Sequence, residues 1–165
     1  MRFTIEQRFA APVEQVARAY ADPALYASFD EMHKLSKPEV LDHQVDGDVV
    51  RLDVRFRFVG ELSSAARAVI DPARLSWIER STHHLAERRA EFAMLQEHYR
   101  DRFRCQGSYR FEPVDDSSCA RHGEADLRVK ALLVAHAVEG AIVSGLEEHL
   151  DDEVPMVEAF LRGGA

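Results

Sequence analysis

The sequence predicts an α+β fold in which a curved antiparallel sheet of about six to seven strands wraps around a long C-terminal helix. Two observations carry this prediction. Successive segments alternate in polarity and are separated by turn signals, a pattern that is typical of strands joined as hairpins. One long helical segment then ends the chain, and it is the only predicted helix long enough to cover the apolar face of such a sheet.

The predicted N-terminal elements are one strand and two short helices. Residues Arg2–Phe9 alternate in polarity, and the apolar residues after Pro12 recur at helical spacing. A proline is tolerated in the first turn of a helix. Asp22-Pro23 interrupts the helical pattern, because the residue before a proline resists the helical conformation. We therefore expect a second short helix, which runs through Phe29.

The middle of the chain is predicted to consist mainly of strands. Residues 48–60 (DVVRLDVRFRFVG) alternate between apolar and charged, as a strand with one buried and one solvated face does. The turn signal Asp46-Gly47-Asp48 pairs this strand with Glu39–Val45 as a hairpin. Further strands are predicted at 75–84, 101–114 and 123–131. Residues 89–99 suit either a helix or a strand, and residues 61–74 are ambiguous.

The last element is predicted to be a helix over residues 132–161. Its broad apolar stripe includes Val138, Ile142 and Leu146. Pro155 is expected to kink or split this helix near 152–154, because proline lacks the backbone donor and clashes with the preceding turn.

Composition narrows the function classes. The formal net charge of −8 opposes binding to nucleic acid or to an anionic membrane surface. The sequence shows neither an export signal nor an apolar run long enough to span a membrane. Cys105 and Cys119 are too few for a disulfide framework and are expected far apart in a hairpin, so we expect a reduced, cytoplasmic protein. Because the sequence has no repeats or linkers, residues 1–165 are expected to form one domain. The sequence does not determine its oligomeric state.

Three segments resemble START-like (SRPBCC) domains. Residues 2–29 give a strand and a helix begun by proline, residues 71–84 contain a tryptophan strand, and residues 126–161 give a closing strand and long helix. Within this superfamily the chain is similar to an uncharacterised, mainly actinobacterial family, through the strand of Trp77, the strand segment 107–113 and the helical segment 139–147. The resemblance implies a helix-grip fold with a hydrophobic cavity between the sheet and the helix.

The residues themselves leave open whether this space is a cavity or a solid core. Small residues are expected to face one another across it: Gly140, Ala141, Ser144 and Gly145 on the helix, and Cys105, Gly107, Gly123 and Ala125 on the sheet. Such an arrangement either brings the two layers close together or leaves a void. A long curved sheet cannot touch one helix along its whole length, which favours the cavity.

Candidate ligand-binding residues are apolar or aromatic side chains expected to face this space. They are Val54, Phe56, Phe58, Trp77, Phe92, Met94, Phe103, Tyr109, Leu127, Val138, Ile142 and Leu146. Alternation also directs a few polar groups inward, namely Glu79, Ser81, Gln96, His98 and Tyr109, although a slip of one residue at 75–99 would reverse most of them. No catalytic residue, metal site or cofactor is predicted.

Several other polar clusters are interpreted without a special role. His83 and His84 are expected to be a solvated pair, because adjacent strand residues point to opposite faces and cannot share a metal. The acidic segment 146–153 is interpreted as a solvated helix face, and His136 as partly buried. The arginines of the strands are expected to form ion pairs on the outer face of the sheet.

The sequence therefore predicts a protein that binds a small hydrophobic or lipid-like molecule between the sheet and the terminal helix. The resemblance leaves a second reading open: an enzyme of the polyketide cyclase or aromatase type that acts through a few polar groups in the pocket. A third reading is a structural or interaction protein with a solid core. Fold alone does not choose among them.

Overall fold

A computed structural model describes residues 1–30, 34–61, 67, 71–130 and 135–163. Within these residues, seven antiparallel strands form one sheet in the order β1-β7-β6-β5-β4-β3-β2. The strands are β1 (Arg2–Phe9), β2 (Glu39–Asp46), β3 (Val49–Arg57), β4 (Ser76–His84), β5 (Arg89–Gln96), β6 (Phe103–Asp115) and β7 (Ser118–Val129). The helices are α1 (Val13–Tyr20), α2 (Pro23–Ser28) and α3 (Ala135–Gly163), with a short 3-10 turn at Pro72–Arg74.

This architecture confirms the predicted helix-grip fold, with a curved sheet and a long C-terminal helix. The two short helices follow β1 as expected, and Asp22 begins α2 because its side chain accepts a hydrogen bond from the Ala24 amide at 2.8 Å. The β2–β3 hairpin turns at Gly47, whose φ of 59° is the left-handed conformation that glycine adopts at little cost.

Two of the open points in the sequence are decided by the sheet. Residues 89–96 form a strand, since β5 lies between β4 and β6 and pairs with both. Cys105 pairs with Leu127 while Cys119 pairs with Pro113 near the turn, so the two cysteines lie far apart and are both free. Most of the ambiguous stretch before Asp71 lies outside the described residues.

The terminal helix departs from the prediction at Pro155. Helix α3 is unbroken from Ala135 to Gly163, so of the two predicted alternatives the split is wrong and the kink stays a prediction. Pro155 lies on the exposed side of α3, where the carbonyl that loses its partner is close to water. Residues 132–134, the predicted start of this helix, lie outside the described residues.

The core lies between the inner face of the sheet, α3 and the two short helices. Helix α3 packs chiefly against β1 and β7, at one side of the sheet, and against α1 and α2. Fully buried side chains such as Val16, Leu25, Phe29 and Leu52 fill the space under the short helices. The strands β3 to β6 are therefore left with less cover from α3 than β1 and β7 have.

The outer face of the sheet carries the predicted ion pairs. Arg80 makes a two-pronged contact with Asp53 across β3 and β4, at 2.7 to 3.2 Å. Arg128 reaches Asp126 at 3.1 Å, and Arg110 lies 3.8 Å from Glu124. None of the helices in the described part of the chain has the length and hydrophobicity needed to cross a membrane.

Candidate functional site

A cavity lies between the inner face of the sheet and α3, closed at one end by α1 and α2. Its volume, measured as the space open to the centres of water molecules, is about 30 Å³. That is room for about two or three waters. Eight of its wall residues are aromatic: Phe3, Tyr20, Tyr26, Phe56, Trp77, Phe92, Tyr109 and Phe111. The polar and charged members of the wall are Glu79, Ser81, His83, Arg121, His149 and Glu153.

The structure divides the twelve predicted ligand-binding residues into two halves. Six lie on the cavity wall, namely Phe56, Trp77, Phe92, Met94, Tyr109 and Leu146. Six lie outside it, namely Val54, Phe58, Phe103, Leu127, Val138 and Ile142, and they are packed within or against the surrounding core. Val54 and Leu127 do point to the inner face, but neighbouring side chains cover them completely. As ligand contacts, all twelve stay a prediction.

Two stacked aromatic pairs form much of the wall. Phe56 and Trp77 lie with their ring centroids 5.9 Å apart and their planes 20° apart, and Phe92 and Tyr109 lie 4.8 Å and 21° apart. The second pair rests on glycine: a Cβ atom at Gly123 would be only 2.8 Å from Cε1 of Tyr109. The small residues of the sheet therefore make room for these rings, and the rings, not an empty void, occupy the space above them.

Strand β4 contributes a polar row to the cavity. Trp77, Glu79, Ser81 and His83 alternate with outward residues and all line the wall. The Ser81 hydroxyl lies 2.9 Å from Nε2 of His83, within hydrogen-bonding distance. His83 is buried, and burial lowers its pKa to about 4, so its imidazole is neutral near pH 7. The expectation of a solvated His83 is therefore wrong, because His83 lies on the same inward side of β4 as Glu79 and Ser81.

A buried ionic cluster closes the end of the cavity beneath α1. Nη1 of Arg121 lies 3.4 Å from Glu153, and the Tyr20 hydroxyl donates a hydrogen bond to the same Glu153 oxygen at 3.0 Å. Nε2 of His149 lies 3.1 Å from the other Glu153 oxygen. The guanidinium is sandwiched between the rings of Tyr20 and Tyr109, at 3.9 and 3.8 Å from their centroids. Strands β6 and β7 and helices α1 and α3 thus meet at one arginine.

The carboxylate of this cluster is held ionised. Burial alone would raise the pKa of Glu153, but the neighbouring His149, Arg121 and Tyr20 lower it to about 2. The acidic segment 146–153 is therefore not solvated along its whole length, as the sequence suggested: Glu147 and Glu148 are exposed, whereas Glu153 is 4% exposed.

Four buried nitrogen atoms on the cavity wall have no hydrogen-bond partner among the described residues. They are Trp77 Nε1, His83 Nδ1, Arg121 Nε and His149 Nδ1. A buried polar group without a partner costs about 1–3 kcal/mol. The indole and guanidinium nitrogens can only donate, so a partner for them must bring an acceptor. The cavity is consequently a place where water or the polar part of a ligand would be stabilised.

Glu79 is an acidic residue of the wall that takes no part in the contacts of the Arg121–Glu153 cluster. Its side chain is partly exposed, and no hydrogen bond or ion pair reaches its carboxylate from the part of the chain that the structure describes. Burial, reinforced by the negative charge of Glu153, raises the pKa of Glu79 to about 7. It therefore exchanges its proton near neutral pH, unlike Glu153.

The cavity has a shallow end and a deep end. Trp77, Glu79 and Met94 are partly exposed, and they lie towards the start of β4 and the end of β5. Phe111 and Arg121 are paired across β6 and β7 at the other end, where both side chains are fully covered. The long axis of the cavity thus follows the strands, from Trp77 down to Arg121.

Sequence reasoning placed some polar residues correctly and missed others. Glu79, Ser81 and Tyr109 line the wall as predicted, and Gln96 is buried outside it. His98 is exposed beyond the end of β5, so its inward assignment is wrong. His136 is also exposed, which corrects the expectation of a partly buried residue.

The main omission is Arg121. The predicted inward side of β7 began at Gly123, and alternation extended back by two residues would have turned Arg121 to the same face. Glu153 carried no comparable signal, because it belongs to a dense acidic segment whose other members are mostly solvated. Among the described residues, no group of three or more His, Cys, Asp or Glu side chains could hold a metal ion.

The fold is shared with several solved structures. The protein TTHA0849 from Thermus thermophilus superposes with a TM-score of 0.70 at 14% identity, covering 100% of this chain and 99% of that chain. The Zhui aromatase/cyclase from a Streptomyces species gives 0.66 at 16% identity, covering 96% and 93%. Norcoclaurine synthase from Thalictrum flavum gives 0.63 at 21% identity, covering 95% and 86%. These likenesses show a common fold and nothing finer.

Comparison at the level of sequence is more specific. None of the curated proteins matches the chain. A mainly actinobacterial distribution of its relatives stays a prediction. One family, however, matches residues 4–161, which is almost the whole chain, and the chain therefore belongs to the family described as Protein of unknown function (DUF2505).

Proposed function

We propose that the protein binds a small, largely aromatic or apolar molecule in the cavity between the sheet and α3. The observation that carries this proposal is the wall itself, whose residues include two stacked aromatic pairs and four buried nitrogens that lack a partner within the described residues. Apolar walls with a few converging polar groups are typical of small-molecule sites. Structures of the same fold support it: one is named an aromatase/cyclase, and a norcoclaurine synthase structure holds dopamine and hydroxybenzaldehyde.

The size of the cavity sets a condition on binding. About 30 Å³ accommodates a few waters, so a ligand the size of a benzene ring must displace side chains as it enters. Met94 and Leu146 are suited to this, because both are partly exposed on the wall and methionine adapts easily to different neighbours. The ligand-binding state would then be wider than the ligand-free one at this end.

The proposed partner is a small molecule, including lipid-like ones, and not a nucleic acid. The net charge of −8 repels polyanions, and the arginines of the outer face are engaged with carboxylates at several positions. Both cysteines are free and buried, which suits a protein that works in the reducing cytoplasm.

The chain carries its own reporter for a test, since Trp77 is its single tryptophan and lies on the wall. We expect benzyl alcohol to change the fluorescence of Trp77 in a saturable manner. Native mass spectrometry of the purified protein should in addition reveal any ligand that co-purifies. A linear, unsaturable fluorescence response together with a bare mass would contradict the proposal.

Two matched variants locate the binding. Ala90 is 1% exposed and lines the cavity, so Ala90→Leu should fill the space and abolish the saturable response. Ala93 lies on the same strand but on the outer face, opposite Arg80, and Ala93→Leu should leave binding unchanged. Equal effects of the two substitutions would place the binding elsewhere.

A second candidate, an enzyme of the polyketide cyclase or aromatase type, is favoured by one feature. Glu79 offers a carboxyl group that exchanges its proton near neutral pH inside an aromatic cavity, as a general acid or base must. The enzyme predicts conversion of an added aromatic polyketide precursor, with turnover lost in Glu79→Gln or Tyr109→Phe. If these variants change only the affinity, binding without catalysis stands.

A further inference from the structure

The charges on the cavity wall are not balanced, and the imbalance lies at Glu79. Its cross-strand neighbours on the inner face are Val54 and Met94, and neither can donate a hydrogen bond or carry a charge. No ion pair or hydrogen bond from the described residues reaches its carboxylate. The Glu79 side chain is only partly exposed, and a carboxylate on an apolar wall ordinarily has a cationic or hydrogen-bonding partner, because an isolated charge is costly in an apolar surrounding.

The other charges of the cavity are already matched. Arg121 and Glu153 lie 3.4 Å apart and cancel, and both faces of the guanidinium are covered by the rings of Tyr20 and Tyr109. His149 contacts Glu153 and adds a positive charge only when it is protonated. Because Arg121 and Glu153 cancel each other, ionised Glu79 is the wall carboxylate that no ion pair from the described residues reaches.

We propose that Glu79 selects ligands by charge, so that the cavity takes an aromatic molecule bearing a protonated amine and rejects one bearing a carboxylate. This inference rests on the proposed function and names the ligand class of the same site. An ammonium group would supply the partner that Glu79 lacks, and it would be stabilised further by the electron-rich faces of the surrounding rings. Two rings of the wall adjoin Glu79 in the sheet: Trp77 is two residues away on the same strand, and Phe92 is two residues from Met94, the partner of Glu79 on β5.

Arg121 raises the opposite possibility, that a carboxylate binds at its free Nε atom. Such a ligand would gain one hydrogen bond from the guanidinium, but it would also enter a cavity that contains two carboxylates and a single permanent cation. Like charges in a poorly solvated space repel strongly. Nε is therefore better matched by a neutral oxygen or a water than by a second anion.

The preference should depend on pH, since Glu79 must be ionised to attract the amine. Burial raises the pKa of Glu79 to about 7, so the attraction should be strong at pH 8.5 and weak at pH 5.5. The titratable and charged groups that act on it come from four elements: Tyr26 on α2, Cys105 and Tyr109 on β6, Arg121 on β7, and His149 and Glu153 on α3.

The test uses three probes with one skeleton: benzylamine, benzyl alcohol and benzoate. Their dissociation constants are measured with the full chain through Trp77 fluorescence and calorimetry at pH 8.5. We expect benzylamine to bind at least about tenfold more tightly than benzoate, with benzyl alcohol between them. At pH 5.5 the amine and the alcohol should bind within about threefold of each other.

Two variants that each remove one negative charge distinguish an effect of the cavity wall from an effect of the protein's net charge. Glu79→Gln should remove the preference for the amine and improve the binding of benzoate. Glu91→Gln deletes the same charge from the outer face, where Glu91 pairs with Arg89, and should change nothing. Thermal unfolding of both variants is measured as the control that they remain folded.

The possible outcomes separate this inference from the proposed function. If none of the three probes binds, the proposed function fails and this inference with it. If benzyl alcohol binds in the cavity but benzoate binds as tightly as benzylamine or more so, the charge selection is wrong and the ligand site stands. An equal loss of amine binding in Glu79→Gln and Glu91→Gln also overturns the role of Glu79.

Discussion

The two faces of the sheet both carry an arginine–carboxylate pair, in opposite surroundings. On the outer face, Arg80 grips Asp53 with two hydrogen bonds, while its own side chain is 62% exposed. On the inner face, Arg121 is 4% exposed and meets Glu153 at 3.4 Å, a longer contact. The better geometry thus belongs to the pair that water screens, and the looser one to the pair that has lost its water.

The difference teaches where charge matters in this fold. A solvated pair contributes about 0–1 kcal/mol, since water competes for both partners. A desolvated pair adds little net stability over an apolar replacement, but separating it is costly because one buried charge is left alone. The inner pair therefore fixes how α3 and the sheet are arranged, whereas the outer pair is close to neutral.

The largest expected effect comes from breaking the inner pair. Arg121→Met leaves Glu153 buried without its guanidinium and should lower the free energy of unfolding by about 3–5 kcal/mol. Urea unfolding followed by Trp77 fluorescence measures this. Arg80→Met is the matched control and should cost less than about 1 kcal/mol. Similar losses for the two variants would contradict the comparison.

A double variant sharpens the same point. Arg121→Met combined with Glu153→Leu removes both charges and should recover a large part of the loss, because no unpaired ion is left in the core. The same unfolding measurement applies, and a double variant less stable than Arg121→Met alone would contradict this and show that Glu153 stabilises the fold through its contacts with Tyr20 and His149.

The next effect is expected at the hydroxyl that supports Glu153. Tyr20→Phe removes a hydrogen bond to a buried carboxylate and should cost about 1.5–3 kcal/mol. Tyr99 gives the exposed control, since its hydroxyl accepts a hydrogen bond from the Asp71 amide at the surface. Tyr99→Phe should cost less than about 1 kcal/mol in the same experiment.

A third effect depends on pH. The raised pKa of Glu79 means that the folded state holds its proton where the unfolded state has lost it, so stability falls as pH rises from about 4.5 to about 7. Because the carboxyl group is partly exposed, we expect about 2 kcal/mol or less. The lowered pKa of His83 makes stability rise with pH between about 4 and about 6.5. The contribution of Glu79 is therefore measured as the difference in stability between the wild type and Glu79→Gln. Glu79→Gln should gain on the wild type as pH rises from 5 to 8, and a constant difference would refute this.

The smallest effect is expected on the outer face. Asp53→Asn should lower stability by about 0.2–1 kcal/mol, and the loss should shrink in 1 M salt, where exposed charges are screened within about 3 Å. The loss in Arg121→Met should be less sensitive to salt, because the inner charges are not in contact with the solution. Unfolding curves at low and high salt give both values.

Much of the fold follows from alternation, and the limits of the prediction follow from it too. β1 and β3 each alternate between a polar side and a more buried, largely apolar side, so the local sequence is enough to predict them as strands. The segment that became β5 has residues that suit a helix equally well, and only its pairing with strands on both sides decides the matter. Pro155 did not break α3, because the proline faces solvent and the rest of the helix is held by its buried stripe.

The candidate site was less predictable than the fold. Alternation identifies which residues point inward, but not which of them reach the cavity: Val54 and Leu127 are packed in the core beside it, while Phe56 and Met94 lie on its wall. The ionic cluster joins residues more than 130 positions apart, Tyr20 and Glu153, and no local pattern connects them. Arg121 was within reach of a period-two argument, whereas its partner was not.

The sandwich of Arg121 between Tyr20 and Tyr109 has a consequence for how the molecule can adapt. Four elements are fastened together at that point, and Gln7 adds a hydrogen bond to the backbone of α3 at Leu150 nearby. We expect this end of the cavity to stay fixed. Any widening of the cavity would then come from movement of the side chains around Trp77 and Met94. Ligands of different length would accordingly differ in how far they extend past Trp77 and Met94. Their innermost atoms would contact the same residues around Arg121.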